Sequence, residues 1–418
     1  MHAGLAKFLE MPITAGNPKI LVVALSLDRG GTEQQLAAIL PRLQERGWTV
    51  MLYCLTRPGE LANLVSASGV KVISLAADGG PRFVGARGVV RLMRSACKLF
   101  HLIWSEAPDI VHCYLPAPYL VGGTISLLLR SPIRVMSRRN LNDYLAKRVL
   151  LAKYELWLHG RMTAILGNSS RIVEELIDEE GCEPEKVGLI RNGVDLARVR
   201  ILVERGDIRK RLDIADGDFV GVIVANLIPY KGHADLIQAL AAIKSRMPRP
   251  WTVLCAGRDE GYQAELDRML VEYNLAGNVR FLGARSDVPE LLKAADIGML
   301  CSHQEGFSNA VIEGMASGLP MVVTDVGGNP EAVRSGKDGL VVPAHNPQAL
   351  GEAILALALD PERAKAMGKS AARRAEEQFS IERCVEHYGI FYTGLMSGKT
   401  ASELAPAGQR SSSMLASA

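Results

Sequence analysis

The chain has no apolar run long enough to cross a bilayer. Its best candidate, Leu120 to Leu129, is broken by Gly122-Gly123 and falls far short of the roughly 18 to 20 apolar residues that a spanning helix needs. Residues 1–18 hold neither an apolar signal core nor a cleavage site, so export is not expected. The seven cysteines are odd in number, scattered, and never spaced as a metal knuckle, which points to reduced thiols and a cytoplasmic setting. No Asp-x-Asp pair stands in a loop after a strand, so no obligatory metal is expected. Aromatic residues make up 5% of the chain and do not interleave with its basic segment, which argues against nucleic acid as a partner. After the first strand, Gly30-Gly31-Thr32-Glu33 lacks the third glycine of a dinucleotide fingerprint, and that counts against a dehydrogenase.

What is present suits an ordinary enzyme of two domains. At 418 residues the chain exceeds one common core, and 48% of it is hydrophobic. From Ile20 to Ile190 apolar strand-like runs alternate with helical patterns. After a break at 192–218, a second set of strands begins at Phe219 and recurs near Trp251, Val279, Ile297, Met321 and Leu340. This alternation predicts an α/β fold of doubly wound parallel sheets. A last helix is expected after Ser380, and disorder from Ser397 onward.

The net charge of +3 conceals an asymmetry. Between Arg82 and Arg161 thirteen Lys or Arg stand against four acids, a local excess that favours an anionic partner. Within Arg87–Trp104 the residues Arg87, Arg91, Arg94 and Lys98 share one helical face, with Val90, Met93, Leu99, Ile103 and Trp104 elsewhere around the wheel. The pattern fits a helix lying on an anionic membrane surface. It fits a solvated face on a core helix as well, and both readings stand.

The densest chemistry lies between Cys301 and Pro343. The run Ile297 to Leu300 ends in a polar loop, Ser302-His303-Gln304-Glu305-Gly306-Phe307, and a helix begins near Ser308. Strand, loop and helix in that order place the N–H groups of Asn309, Ala310 and Val311 at a helix start, where an anion such as phosphate is favoured. Glu305 precedes the first turn, and Glu313 lies one turn inside on a face away from the apolar one. A carboxylate on either side of a phosphate suits a nucleotide sugar. Each Glu taken singly reads equally as a solvated charge, but a second glycine turn, Asp325 to Glu331, follows the next strand and adds another backbone-exposed loop at a strand carboxyl end.

Glu305-Gly306-Phe307 with Glu313 eight positions on resembles the paired-glutamate signature of the retaining glycosyltransferases of family 4, and the turn Thr324–Glu331 is similar to theirs. The resemblance covers about Lys19 to Met396. It implies the GT-B architecture: two Rossmann-like domains facing a cleft, with a C-terminal helix crossing back to the first. On that basis 1–18 is an extension, 19–195 an acceptor domain, 196–379 a nucleotide-sugar donor domain, 380–396 the crossover helix and 397–418 a disordered tail.

The same resemblance assigns roles. Glu305 would orient the sugar, Glu313 would hold the ribose, and Gly306, Phe307, Ser308, Asn309 and Ala310 would form the donor loop. Lys231 matches the family's diphosphate-binding lysine, while Asn226 stands where the family usually has Arg. Gly30 and Gly31 match the N-terminal glycine loop, with Glu33 at its acidic position. His112 matches a strand-end histidine that would project into the cleft and meet a ligand hydroxyl. Arg138 and Arg139 end the next strand, where a basic residue can meet an acceptor phosphate. The turn Asn192 to Asp195 reads as structural. The implied activity is retaining transfer of a sugar from a UDP- or GDP-sugar to a glycan or lipid-linked acceptor, at the inner face of the membrane. A sugar-nucleotide epimerase and a non-catalytic sugar-nucleotide-binding protein are the other readings.

Overall fold

The computed structural model describes residues 17–75, 85–140 and 149–406. Arg82, Asp143, Lys147 and Arg148 of the basic segment lie outside the described residues, as do the side chain of Arg87, residues 1–16 and residues 407–418.

Two parallel sheets carry the fold. The first has β1 (Lys19–Ala24), β2 (Thr49–Cys54), β3 (Lys71–Ser74), β4 (Ile110–Tyr114), β5 (Ile133–Arg138), β6 (Ala164–Gly167) and β7 (Val187–Leu189), in the order β3-β2-β1-β4-β5-β6-β7. The second has β8 (Phe219–Val224), β9 (Trp251–Ala256), β10 (Val279–Phe281), β11 (Ile297–Leu300), β12 (Met321–Thr324) and β13 (Gly339–Val342), in the order β10-β9-β8-β11-β12-β13. Central strands such as Trp-Thr-Val-Leu-Cys-Ala of β9 are buried at every position. A strand covered on both faces needs apolar side chains on both, so these run continuously instead of alternating.

In both sheets the winding reverses beside the first strand, between β1 and β4 and between β8 and β11. Loops leaving the carboxyl ends of those strands diverge and leave a crevice, the place where open α/β sheets take ligands.

By compactness the chain forms two units. The first runs to Arg138 and takes in Leu150–Leu166 and Gly389–Leu404; the second holds Arg139, Gly167–Tyr388 and Ala405. Four helices matter below in the first unit or at its edge: α1 (Gly31–Glu45), α2 (Gly85–Glu106), α3 (Val149–His159) and, later, the last long helix. In the second unit α4 (His233–Ile243) follows β8 and α5 (Asn309–Ala316) follows β11. The last long helix, α6 (Ile381–Met396), begins in the second unit and ends in the first, the division falling between Tyr388 and Gly389.

Two stretches expected to be irregular are packed. Segment 192–218 contains helices Leu196–Val199 and Arg205–Arg211. Arg209 within it is buried and donates to the carbonyls of Ala294 at 2.9 Å and Asp216 at 2.8 Å and to Asp296 Oδ2 at 3.1 Å. The tail is ordered at least as far as Pro406, because Ala401–Leu404 forms a short helix, α7, with Ala401 and Ala405 buried. A Cβ placed on Gly394 would meet the Leu404 side chain, so the glycine admits this turn against α6.

Two polar residues at strand ends of the first unit serve its interior. His112 on β4 is fully buried, with Nδ1 2.7 Å from Tyr392 Oη and Nε2 2.8 Å from Ser137 Oγ, and it fastens the end of α6 to the sheet. Instead of projecting to a ligand hydroxyl, both ring nitrogens are engaged inside the unit. Arg138 ends β5 and is buried as well, 3.0 Å from Glu155 Oε1 on α3. Two ions taken from water are tolerable only as a pair, so removing one strands the other. Replacing Glu155 by Leu is expected to lower stability by about 3–5 kcal/mol in urea denaturation, far more than a change at the exposed, solvent-screened pair Arg246–Glu352.

Candidate functional site

The second sheet's switch point is built from the loops after β8 and β11. After β8 the chain makes a single tight turn at Pro229–Lys231 and enters α4 through Gly232, whose φ is +71°. A Cβ on Gly232 would collide with the Cys301 carbonyl oxygen, so only glycine lets these two strand ends lie backbone to backbone. That contact delivers Lys231 to the β11 loop. Lys231 Nζ lies 2.6 Å from Glu305 Oε1, and Ser302 Oγ donates to the same oxygen at 2.7 Å. The Lys231 and Glu305 side chains are 19% and 11% exposed. Charge-assisted bonds of this length between half-sequestered ions are strong and directional.

The loop bearing Glu305 is held from behind. Gly327, with φ +52°, has no room for a Cβ against the Glu305 carbonyl, and the Gly328 N–H donates to Gly306 O at 2.6 Å. Gly306 in turn lies on the Arg139 carbonyl and the Asn168 side chain. The two glycine turns seen in the sequence are therefore two halves of one stacked loop pair. Phe307 is buried against Phe379, with ring centroids 5.3 Å apart, and acts as the loop's anchor in the core.

Helix α5 starts where the sequence placed it. Ser308 is its cap and accepts from the Val311 N–H at 3.5 Å. This corrects one expectation: Val311's N–H, read from the sequence as open to an anion, is engaged by the cap. Asn192 donates to the Phe307 carbonyl at 2.8 Å and to Asn309 Oδ1 at 2.7 Å, and accepts from Arg139. Arg139 also donates to Tyr388 Oη at 2.8 Å. Buried and so engaged, Arg139 braces the Glu305–Ser308 loop through Asn192 instead of standing open to an acceptor phosphate as expected.

The remaining expected residues divide. Glu313 is half-buried instead of facing away into solvent, and burial pushes its carboxyl above the usual range, with Arg198 opposing the rise. Asn226 spends Oδ1 on the Arg258 N–H at 3.1 Å. In the first unit Gly30 caps α1 in extended backbone, and a Cβ there would run into the Glu33 carboxylate, so Glu33 folds back over the helix start. Gly31 opens that helix and is exposed.

Three residues were not singled out from the sequence. Ser302 has no signal beyond its place after a strand. His233, directly behind Lys231-Gly232, is buried with neither ring nitrogen hydrogen-bonded, and burial drives its pKa down to about 4, helped by Lys231. Leu115, following β4 at the first sheet's switch point, has φ 69° and ψ 163°, a conformation costing a non-glycine residue about 1–3 kcal/mol.

A half-buried lysine–glutamate pair beside a capped helix start at a switch point is an arrangement chemically suited to an anionic, hydroxyl-bearing ligand. Comparison with known proteins gives the family. Residues 29–198 match the model described as Glycosyltransferase Family 4, and residues 204–374 match Glycosyl transferases group 1. The chain belongs to the GT-B glycosyltransferases of family 4 type. It is 27% identical over 248 residues to the D-inositol 3-phosphate glycosyltransferase of Streptomyces bingchenggensis, a match covering 57% of this chain and 54% of that protein, about half its length. It is 25% identical over 317 residues to the Escherichia coli UDP-Gal:alpha-D-GlcNAc-diphosphoundecaprenol alpha-1,3-galactosyltransferase, covering 74% of this chain and 82% of the relative. Anabaena HepE in complex with UDP and glucose has the same fold, with a TM-score of 0.78 at 22% identity over 91% of this chain and 100% of that one.

The environment of Glu313 has a measurable consequence. A carboxyl whose folded pKa is raised contributes stability below its unfolded value of 4.5, and that contribution is lost as pH rises through the folded value. Glu313→Gln is therefore expected to melt a few degrees above the parent at pH 7.5, the gap closing below pH 4.5. Calorimetry across that range checks it.

Proposed function

We propose that the chain transfers a sugar from a nucleotide-sugar donor to a glycan or lipid-linked acceptor, with retention at the anomeric carbon. The observation that carries this reading is the Lys231–Glu305–Ser302 cluster at the switch point, beside the start of α5. A donor diphosphate seated on Asn309 and Ala310 brings two negative charges next to Lys231 and competes with Glu305 for its ammonium. Lys231 then neutralises the departing diphosphate as the bond to the sugar breaks. Glu305, relieved of the lysine but still bonded by Ser302, turns its carboxylate to the sugar hydroxyls and favours positive charge developing at the ring. Glu313 receives the ribose hydroxyls. In this mechanism the donor's own phosphate takes the acceptor proton on the face the leaving group quits, which gives retention.

The relatives support the substrate class. One acts, by its name, on an inositol phosphate and one on a diphosphoundecaprenol-linked sugar with UDP-Gal as donor. UDP is accordingly the first donor base to test and GDP the second.

A lipid-linked acceptor fits α2. Its inward face is Gly88, Ser95, Leu99 and Ile103, while Met93 at 64% and Trp104 at 67% exposure stand on the outward face with Arg94 and Lys98. Of the apolar residues noted in the sequence, Leu99 and Ile103 belong to the core and Val90, Met93 and Trp104 to the surface. Exposed aromatic and aliphatic groups set among cations are what an interfacial helix needs, and we place the enzyme at an anionic membrane surface. Among the described residues no helix is long and apolar enough to cross a membrane.

Glu305→Gln keeps the side chain's volume and removes its charge. Transfer measured as release of nucleoside diphosphate is expected to fall by about 10²–10³-fold. Activity within a few-fold of the parent would remove Glu305 from the mechanism, scrambling of the donor sugar would indicate an epimerase, and donor binding without turnover a sensor. Separately, vesicles rich in anionic lipid are expected to sediment the protein, and Met93→Ser with Trp104→Ser to leave it in the supernatant.

A further inference from the structure

Beside the donor loop, on the side of His303, three metal-ligating side chains converge from three segments. Asp235 comes from the first turn of α4, His303 from the β11 loop two residues before Glu305, and His345 from the turn after β13. Their ligating atoms all lie within 4.8 Å of one another. His303 Nε2 is 2.9 Å from Asp235 Oδ2, and the two imidazole rings lie against each other with centroids 3.7 Å apart. The Asp235 and His303 side chains are about one-fifth exposed, and His345 is exposed.

The geometry points to a Zn²⁺ site formed by Asp235, His303 and His345, distinct from the residues assigned to sugar transfer. Two imidazoles and one carboxylate are the donors of open three-ligand zinc sites, in which a fourth position takes water. Hard, all-oxygen ions such as Mg²⁺ and Ca²⁺ prefer other donors. Bonds of about 2.0–2.2 Å to zinc put tetrahedral ligand atoms roughly 3.4 Å apart. The Asp235–His303 pair opens slightly to reach that spacing, and the exposed His345 closes toward it.

A hydrogen bond between Asp235 and His303 would not by itself require His345. His345 nevertheless sits against His303, held there from a left-handed backbone with φ +56°, a region that Asn, Asp and His enter more readily than other side chains. The neighbouring Cys301 side chain is fully buried, away from the exposed His345. The His303 N–H donates to the Tyr230 carbonyl at 2.7 Å, so a bound ion ties together the start of α4, the loop carrying Glu305 and the β13 turn.

Calorimetric titration of tag-free, chelator-treated full-length protein with ZnCl₂ at pH 7.5 tests the site. One ion per chain with micromolar or tighter affinity is expected, together with a rise in melting temperature. Ten-fold excess Mg²⁺ should neither bind comparably nor compete. His345→Gly removes one ligand and relieves the left-handed backbone, so it should fold and lose at least ten-fold in affinity. Asp235→Asn should do the same, and Cys97→Ser, which removes the exposed thiol, should leave binding intact. Affinity should fall as pH is lowered, because protons compete with zinc for its ligands. Absence of saturable zinc uptake, equal uptake by His345→Gly and Asp235→Asn, or loss of uptake in Cys97→Ser would overturn the site. Because zinc uptake is read without donor or acceptor, the result is independent of the transfer reaction.

Discussion

The ion pair between Lys231 and Glu305, 2.6 Å long, is the constraint on which the candidate site turns. Each partner belongs to a different strand-end loop, and neither loop reaches the other unless Gly232 lies on the Cys301 carbonyl and Gly327 on the Glu305 carbonyl. A methyl group at either position would collide with a backbone carbonyl oxygen and force the loops to shift. The charges are also mutually dependent. Either one alone at this depth would face a desolvation cost without compensation, so an anionic ligand that captures the lysine must leave the glutamate something else to hold. Ser302, already bonded to Glu305, is the protein's part of that compensation, and in the proposed mechanism sugar hydroxyls supply the rest.

The parts of this arrangement that depend on local order were legible in the sequence. Apolar runs flanked by glycine turns gave the thirteen strands closely, and Ser308 before Asn309 gave the start of α5. Neighbouring strand ends made Lys231 and Glu305 candidates, since both lie after strands that a doubly wound sheet brings together. Their direct pairing was not legible. It depends on how far each loop runs before turning, and that is set by contacts such as Gly232 on Cys301, which join residues about seventy positions apart.

Burial was the harder quantity. His112, Arg138 and Arg139 look, as residue types at strand ends, like ligands waiting for a substrate. A strand end is polar in sequence whether its side chains meet solvent or a helix arriving from far along the chain. His112 finds Tyr392, and Arg138 finds Glu155 on α3, neither of which a local pattern could nominate. Arg139 is the intermediate case: its carbonyl backs Gly306, and through Asn192 its side chain sets the position of Asn309 and the Phe307 carbonyl.

These contacts give the two sheets, wound in the same way, different physical characters. In the first unit the polar residues at and near the switch point are turned to internal use: Glu33 covers the start of its own helix, His112 ties down the end of α6, and Arg138 closes on Glu155. In the second unit the equivalent positions keep charges that a ligand can rearrange, with Lys231 and Glu305 paired but partly open and Glu313 held in a setting that disfavours its ionised form. Stored electrostatic cost of that kind is what a binding site shows before its ligand arrives, and a sheet whose polar groups have all found internal partners does not show it. The asymmetry supports the proposal that the charge-sensitive step lies in the second unit. It leaves the first unit a framework whose exposed outward features, the glycine turn at Gly31 and the apolar and basic face of α2, suit recognition more than chemistry.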